Sequence, residues 1–205
     1  MSVSPAKQFQ KDELDVRIFD SIESMATDAA EEAKIILVSA IEEKGEARAI
    51  IATGNSQDVF LEKLTTLEGI DWSKVTLFHM DEYLGMSIEH TASFRKYLKE
   101  RVADVVKPAA LHLLEGDAME PLKAVHSYSA LLKDKPVDVC CLGIGENGHI
   151  AFNDPAVADF EDPEVLKIVK LDETCRQQQV GEGHFPNLDA VPMYAISIPF
   201  PLSAT

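Results

Sequence analysis

The sequence predicts an α/β protein built on a mainly parallel sheet with helices on both of its faces. Short β-type runs alternate along the chain with amphipathic helical stretches, which is the pattern of right-handed βαβ units. Unusual polar segments follow three of these runs, as expected where ligands bind at the carboxyl ends of parallel strands. With 205 residues and 46% hydrophobic content, the chain fits one domain of ordinary composition.

The individual elements follow from hydrophobic periodicity. In Ser21–Lys44 the apolar residues recur at helical spacing, with Asp20 or Ser21 as the N-cap and Gly45 as the stop. Residues 1–15 are polar and aperiodic, which predicts a flexible N-terminal arm before a single domain over 16–205. Further helices are predicted through Val59–Leu64 and over Ser93–Val106 and Met119–Lys133. Strands are predicted at Arg48–Thr53, Val75–Met80, Leu111–Leu114, Val137–Leu142, Val165–Leu171 and Tyr194–Ile198.

The chain is strongly acidic, with 35 Asp and Glu against 19 Lys and Arg and a formal net charge of −16. This charge argues against nucleic acid or an anionic membrane surface as a partner. An anionic ligand would need local donors such as helix N-termini, backbone amides or a few placed cations. The chain has no apolar run near the roughly 20 residues that span a bilayer, no signal-peptide core and no disulfide framework. A cytoplasmic location is therefore expected.

The most informative segment is Leu142–Pro155, LGIGENGHIAFNDP, which follows a compact apolar run with the character of a buried strand. Its glycines set a tight turn, and His149 at the end of the turn is followed five residues later by Asp154. A carboxylate bonded to one ring nitrogen of a histidine fixes the tautomer and leaves the other nitrogen free for proton transfer. We therefore predict a catalytic histidine, without a serine or cysteine nucleophile.

The segment Thr53-Gly54-Asn55-Ser56 lies between a predicted strand and a predicted helix. Its small polar residues allow backbone N–H groups to point at an anion, most often a phosphate. An ordinary βα turn with Ser56 as the N-cap explains the segment equally well. The lysine and the spacing of a Walker-type loop are missing, so the residues alone favour neither interpretation.

A third polar segment, Asp81-Glu82-Tyr83, follows the strand Val75–Met80. A carboxylate at the end of a strand can serve as a general base, although spacing alone favours an ordinary surface turn. Asp81 and Glu82 point in opposite directions in an extended chain, so one metal ion cannot easily bind both. His79 is interpreted as a half-buried strand histidine, and no metal site is predicted.

Four motifs occur in order along the chain: ATGNS at Ala52–Ser56, FHMDEYLGM at Phe78–Met86, HTASF at His90–Phe94 and LGIGENGHIAFNDP at Leu142–Pro155. Together they resemble the glucosamine-6-phosphate deaminase (isomerase) family, and the resemblance extends from about Asp20 to the end. It implies a Rossmann-like α/β fold and the conversion of glucosamine 6-phosphate and water to fructose 6-phosphate and ammonia. No metal or redox cofactor is implied.

The resemblance also implies roles for individual residues. His149 would move a proton at the ring oxygen during ring opening, with Asp154 orienting it and Asn147 in the same catalytic set. Asp81 would take the C2 proton and return it at C1 through an enolamine. The residues expected to bind the sugar phosphate are Thr53, Gly54, Asn55, Ser56, Glu82, Tyr83, Gly145 and Arg176.

Two departures from the family pattern concern the phosphate. The family's phosphate-contacting arginine has no counterpart after Arg176, where the chain reads QQQVGEGHF, and Arg176 or His184 is the candidate substitute. The chain ends at Pro199–Thr205, where the family continues with more strand and helix and a phosphate-contacting lysine. We therefore expect either a truncated sequence or a C-terminally shortened relative, whose incomplete sheet edge is open to pairing with another chain in a homo-oligomer.

Two alternatives stand beside the deaminase hypothesis. A 6-phosphogluconolactonase-like enzyme would hydrolyse a sugar-phosphate lactone, using His149 to activate water and depending little on Asp81. A non-catalytic module that binds a sugar phosphate would account for the missing arginine and the shortened C-terminus. The expected partner is a small molecule in each case, and an amino-sugar phosphate under the favoured hypothesis.

Overall fold

The computed structural model of the protein describes residues 3–199, so the segment 200–205 at the expected shortened end lies outside the described residues. No helix in the described range is long and apolar enough to cross a membrane. The strands are β1 Lys7–Lys11, β2 Leu14–Ile18, β3 Ala47–Ile51, β4 Val75–His79, β5 Asp81–Tyr83, β6 Ala110–His112, β7 Val139–Cys141, β8 Lys167–Lys170 and β9 Tyr194–Ser197. The helices are α1 Ile22–Lys44, α2 Asp58–Thr66, α3 Phe94–Leu98, α4 Asp104–Val106, α5 Pro121–Lys133 and α6 Glu173–Gly181, with a π-helical segment, Lys99–Ala103, between α3 and α4.

A four-stranded parallel sheet in the order β6-β4-β3-β7 forms the centre of the fold. Successive residues of β3 face opposite sides of this sheet, as strand geometry requires. Ala49 and Ile51 pack with residues of α1 and α2 in one hydrophobic cluster, whereas Ile50 packs with Tyr128 and Leu132 of α5 in another. Helices therefore cover both faces, and the expected three-layer α/β/α architecture with a mainly parallel sheet is confirmed.

Helix α1 begins and ends where its sequence indicates. Ser21 caps it by accepting a hydrogen bond from the Ser24 backbone N–H at 3.1 Å. Gly45 ends it with a φ of 79°, a left-handed conformation that glycine adopts without steric cost. The other predicted helices and strands are also present, with strand ends shifted by up to two residues.

The N-terminal segment has regular structure. β1 and β2 pair antiparallel, from Lys7 opposite Ile18 to Lys11 opposite Leu14, so the expectation of a loose arm over 1–15 is corrected to a hairpin. Every residue of β1 is exposed to solvent. Because neither face of the strand is buried, the sequence carries no alternation of apolar and polar residues that could have revealed it.

The compact apolar run before the glycine turn forms β7, at the edge of the parallel sheet. Its residues, which include Cys140 and Cys141, are half-buried rather than part of a fully covered strand. Within residues 3–199, β7 pairs with β3 on one side and with no strand on the other. The prediction of a buried strand was therefore wrong in its degree of burial.

A second sheet, three-stranded and antiparallel, has the order β5-β9-β8 and was not predicted. Its strand β5 follows β4 after the single residue Met80, and Asp81 lies opposite Ser197 of β9. All three residues of β5 are buried, so the surface turn that spacing alone favoured for Asp81-Glu82-Tyr83 is a buried strand. Spacing could not show this because the pairing partner lies far along the chain.

Candidate active site

A cavity of about 310 Å³ opens at the carboxyl ends of β3, β4 and β7. The three polar segments that the sequence placed at strand ends meet here, as the geometry of parallel sheets requires. Of the residues expected at the site, the following line the cavity: Thr53, Gly54, Asn55, Ser56, Asp81, Gly145 and His149. The central parallel sheet therefore brings together segments that are far apart in the sequence.

The Thr53–Ser56 segment forms a tight turn that leads into α2. Gly54 has a φ of 101°, which a side chain would disfavour, and the carbonyl of Gly54 accepts a bond from Gln57 N–H at 2.9 Å. Ser56 does not cap α2, because its Oγ instead accepts a bond from Gln57 Nε2 at 3.1 Å. The first backbone N–H groups of a helical turn lack intrahelical partners, so this segment retains the donors that an anion would need.

The His149 imidazole is held by Asn147 more closely than by Asp154. Its Nδ1 lies 2.6 Å from Asn147 Oδ1 and 3.4 Å from Asp154 Oδ1. Asn147 Nδ2 donates to Asp154 Oδ1 at 2.9 Å and to Asp172 Oδ2 at 3.1 Å, so the amide oxygen must face the ring. Nδ1 therefore carries the proton, and Nε2 is left as the nitrogen that can exchange a proton in the cavity.

Asp154 lies behind His149 and does not line the cavity. It is fully buried, and its Oδ2 accepts a bond from the Asp172 backbone N–H at 2.9 Å. Burial alone would raise the pKa of Asp154, but bonds from His149, the Asp172 N–H and Asn147 outweigh burial and lower that pKa below its ordinary value. Asp154 is therefore a fixed negative charge that orients Asn147 and, through it, the imidazole.

Gly145 makes room for the imidazole. A Cβ built on Gly145 would lie well inside 3.0 Å of ring atoms of His149, closer than real Cβ contacts. The glycine turn therefore permits close packing of the backbone against the His149 ring, which any side chain at this position would displace.

Asp81 faces the same cavity as His149. The residue is 7% exposed, and its carboxylate forms no hydrogen bond with the described residues. Burial raises the pKa of Asp81 to about 7, the nearby Glu82 adds to the rise, and His149 opposes it. A carboxyl group with a pKa near neutrality can both take and return a proton, which suits a general base.

Glu82 and Tyr83 were expected to bind substrate, but both are fully buried and neither lines the cavity. Glu82 instead points to the start of α3, where its Oε2 accepts bonds from Ser93 Oγ at 2.9 Å and from Arg95 N–H at 3.0 Å. The prediction that these two residues contact the substrate was therefore wrong, because both lie in the buried structure behind the cavity wall.

His79 also belongs to the support rather than the site. It is fully buried, not half-buried as predicted, and its Nδ1 accepts a bond from the Leu114 N–H at 3.4 Å. Burial, with a smaller effect of Arg95, lowers the pKa of His79 to about 3, so the ring is neutral.

Arg176 does not line the cavity, and the expectation that it binds phosphate is corrected. Its Nη2 donates to the carbonyl oxygens of Leu188 at 2.6 Å and Val191 at 3.0 Å, which fixes the loop before β9. His184 is not in the wall either and contacts Glu182. Within residues 3–199 the cavity wall contains no lysine or arginine.

Helix α6 supplies part of the wall and was not among the predicted helices. Asp172 caps this helix by accepting a bond from the Cys175 N–H at 2.8 Å, a start signal that was present in the sequence. Its residues in the wall are Gln178, Gln179 and Glu182. The run of polar residues after the cap hid the helix, because only Cys175 and Gln179 on it are buried.

One cluster in the described part of the chain has donors placed for a cation: His149, Asp154 and Cys175, whose ligand atoms lie within 4.8 Å of one another. His149 Nδ1 and both oxygens of Asp154 are already committed to the hydrogen bonds above. Burial raises the pKa of the Cys175 thiol, so it stays protonated near neutral pH, whereas metals bind the thiolate. These donors fit a hydrogen-bonded support better than a metal centre.

Comparison with known proteins shows which family the chain resembles in sequence and in fold. The sequence profile of a family described as glucosamine-6-phosphate isomerases/6-phosphogluconolactonase matches residues 20–168. A glucosamine-6-phosphate deaminase of Exiguobacterium sp. is 35% identical over 174 residues, which cover 84% of this chain and 66% of the relative. Glucosamine-6-phosphate deaminase 2 of Bacillus subtilis is 35% identical over 170 residues, with 80% and 66% covered. The chain thus spans slightly less than two thirds of the length of these relatives.

Solved structures agree on the fold. A monomeric glucosamine-6-phosphate deaminase superposes with a TM-score of 0.76 at 28% identity, over 87% of this chain and 73% of that one. The 6-phosphogluconolactonase from Plasmodium vivax gives a TM-score of 0.72 at 14% identity, over 93% and 73%. The second likeness concerns the fold alone.

Proposed function

Since the chain belongs to the glucosamine-6-phosphate isomerase/6-phosphogluconolactonase family, we propose that it converts glucosamine 6-phosphate and water to fructose 6-phosphate and ammonia. The observation that carries the proposal is that the Asp81 carboxyl and the His149 imidazole face one cavity of about 310 Å³. The reaction needs two proton-transfer groups, one at the ring oxygen and one at carbon, and the cavity offers one of each.

Ring opening is assigned to His149. With Nδ1 bonded to Asn147, Nε2 is the nitrogen that exchanges a proton with the sugar. Moving the proton of the anomeric hydroxyl to the ring oxygen breaks the bond between C1 and that oxygen and gives the open-chain aldehyde. Asn147 and Asp154 hold the ring in the tautomer that this step requires.

Isomerisation is assigned to Asp81. The carboxylate takes the proton from C2, and the C1 oxygen gains a proton, which gives an enolamine. The carboxylate then returns its proton at C1 while the nitrogen gives up the proton that balances the one gained by the oxygen, which leaves a hydroxyl on C1 and an imine at C2. Water then adds to C2, and ammonia leaves to give fructose 6-phosphate. A pKa of about 7 matches this task, because the group must be ionised to take the proton and basic enough to compete for it.

Asp81 also supports the isomerase over the lactonase alternative. Hydrolysis of a lactone removes no proton from carbon and needs no second base beside the histidine. Burying the carboxyl of Asp81, a residue that is only 7% exposed, costs free energy. The lactonase alternative gives this buried group no role.

The phosphate group is assigned to the Thr53–Ser56 turn. Its backbone N–H groups can bind an anion in a described cavity wall that has no lysine or arginine. The negative charge of Asp58, the first residue of α2, repels an anion at this turn only weakly. Tyr97 Oη donates to its Oδ1 at 2.6 Å, and Arg101 Nη1 lies 3.2 Å from the same oxygen.

The direct test is incubation of the purified chain with glucosamine 6-phosphate, followed by enzymatic measurement of ammonia and fructose 6-phosphate. We expect equimolar products from the wild type and none above background from Asp81→Asn or His149→Gln. 6-Phosphogluconolactone serves as the comparison substrate. Absence of ammonia from the wild-type chain, or lactone hydrolysis that persists in Asp81→Asn, would overturn the proposal for this chain.

A further inference from the structure

We propose that Gln179 contacts the substrate: its side-chain amide, oriented by the Tyr83 hydroxyl, donates a hydrogen bond to an oxygen atom of the sugar in the cavity. The inference deepens the proposed function and rests on it. It assigns a recognition role to helix α6, at the place where the family's phosphate-binding arginine was expected and is missing.

The position of Gln179 on α6 brings its side chain to the cavity. Cys175 lies four residues earlier on the same helical face and is fully buried. Gln179 continues this face by one turn, is 7% exposed and lines the cavity. The buried face of α6 therefore ends in a polar amide at the wall of the site.

The orientation of the amide follows from Tyr83. The Tyr83 hydroxyl donates to Gln179 Oε1 at 2.7 Å and has no other acceptor among the described residues. Tyr83 is fully buried, and turning the amide over would leave its O–H without a partner. The oxygen of Gln179 is therefore fixed on Tyr83, and the two N–H groups of Nε2 point away from it.

These N–H groups donate to no residue within 3–199, which distinguishes Gln179 from its neighbour. Gln178 also lines the cavity, but its Nε2 donates to Glu182 Oε1 at 2.6 Å and its Oε1 accepts from the Glu146 N–H at 3.1 Å. The amide of Gln178 is thus satisfied at both ends within the protein. That of Gln179 is satisfied at one end only and has its donors left for a ligand.

The chemistry of the free group defines what it recognises. An amide N–H bonds an acceptor, whereas the protonated amino group of an amino sugar offers donors only. Gln179 therefore pairs with a hydroxyl or carbonyl oxygen of the sugar and not with its ammonium group. Because a buried donor is costly when unpaired, a substrate that lacks this oxygen is disfavoured.

The test compares Gln179→Leu and Gln179→Glu with Gln177→Leu, a matched change at an exposed position of the same helix. Gln179→Leu removes the amide, and Gln179→Glu keeps an acceptor for Tyr83 but has no donor when ionised. The readouts are kcat/KM for glucosamine 6-phosphate and calorimetric binding of 2-amino-2-deoxyglucitol 6-phosphate, a reduced open-chain analogue that cannot isomerise.

We expect both Gln179 variants to lose about tenfold or more in kcat/KM and in analogue affinity, and Gln177→Leu to match the wild type. Tyr83→Phe removes the hydrogen bond that orients the Gln179 amide. It should therefore lower the affinity for the analogue when it is the only substitution, but cause no further loss when combined with Gln179→Leu. Urea unfolding identifies any variant whose loss of activity reflects a destabilised fold. If Gln179→Leu is such a variant, the comparison is made with Gln179→Glu.

The outcomes separate the two proposals. If the wild type binds the analogue and releases ammonia but both Gln179 variants behave like it, the role of Gln179 is refuted and the proposed function stands. If the wild type neither binds the analogue nor releases ammonia, the proposed function fails, and the assignment of Gln179 fails with it.

Discussion

Replacing Asp81 with asparagine is expected to abolish ammonia release and, at the same time, to stabilise the fold. The substitution keeps the shape of the side chain and removes its charge. Asp81 forms no hydrogen bond with the described residues, so asparagine disrupts none. The stabilisation arises because the wild-type protein must ionise this buried carboxyl group at neutral pH.

The size of the effect follows from the pKa of Asp81. Folding raises this pKa from an ordinary 3.8 to about 7, a difference of about three units, mainly through burial. A raised pKa means that the carboxyl favours folding fully below about pH 4 and that this contribution is lost as the pH rises to about 7. At about 1.4 kcal/mol per unit, the Asp81→Asn protein should gain up to about 4 kcal/mol over the wild type at pH 8.

The assay is urea unfolding followed by circular dichroism from pH 5.5 to pH 8.5. The difference in unfolding free energy between Asp81→Asn and the wild type should grow with pH and level off above about pH 7. Asp20→Asn, a matched change at an exposed residue, should show no such trend. A difference that stays constant over this range would contradict the raised pKa of Asp81, because it would show that Asp81 titrates alike in the folded and unfolded chains.

Three further outcomes are expected. The kcat/KM for glucosamine 6-phosphate should rise about tenfold per pH unit below about pH 7, where Asp81 loses its proton, and a profile without this acid limb contradicts the assignment of the base. Gly145→Ala should lower kcat about 100-fold or more by displacing the catalytic imidazole, with little change in urea midpoint, whereas Gly181→Ala, which meets no atom within 4 Å, should retain full activity. Glu82→Gln should destabilise the fold by about 3 kcal/mol in urea unfolding, because an amide offers one acceptor oxygen where both carboxylate oxygens are used. A Glu82→Gln protein as stable as the wild type would show that these buried bonds contribute nothing.

Local features of the sequence were sufficient for the elements that depend on local physics. The Ser21 cap, the Gly45 stop and the periodicity between them define α1 because each acts within a turn of the helix. The parallel sheet followed from strand and helix alternation, since βαβ units have one preferred handedness. The exposed hairpin and the polar helix α6 were not predicted, because neither shows the periodic apolar pattern on which such predictions depend.

The position of His149 on a glycine turn at a strand end, near Asp154, could be read from the sequence because turn and spacing are properties of contiguous residues. The place of Asn147 between them could not, since the direction of its amide is also set by Asp172, which is remote in sequence. Burial was likewise decided in three dimensions. The pairing of β5 with β9 makes Asp81 a buried carboxyl group rather than part of a surface turn, because the desolvation that raises its pKa comes from segments the local sequence does not contain.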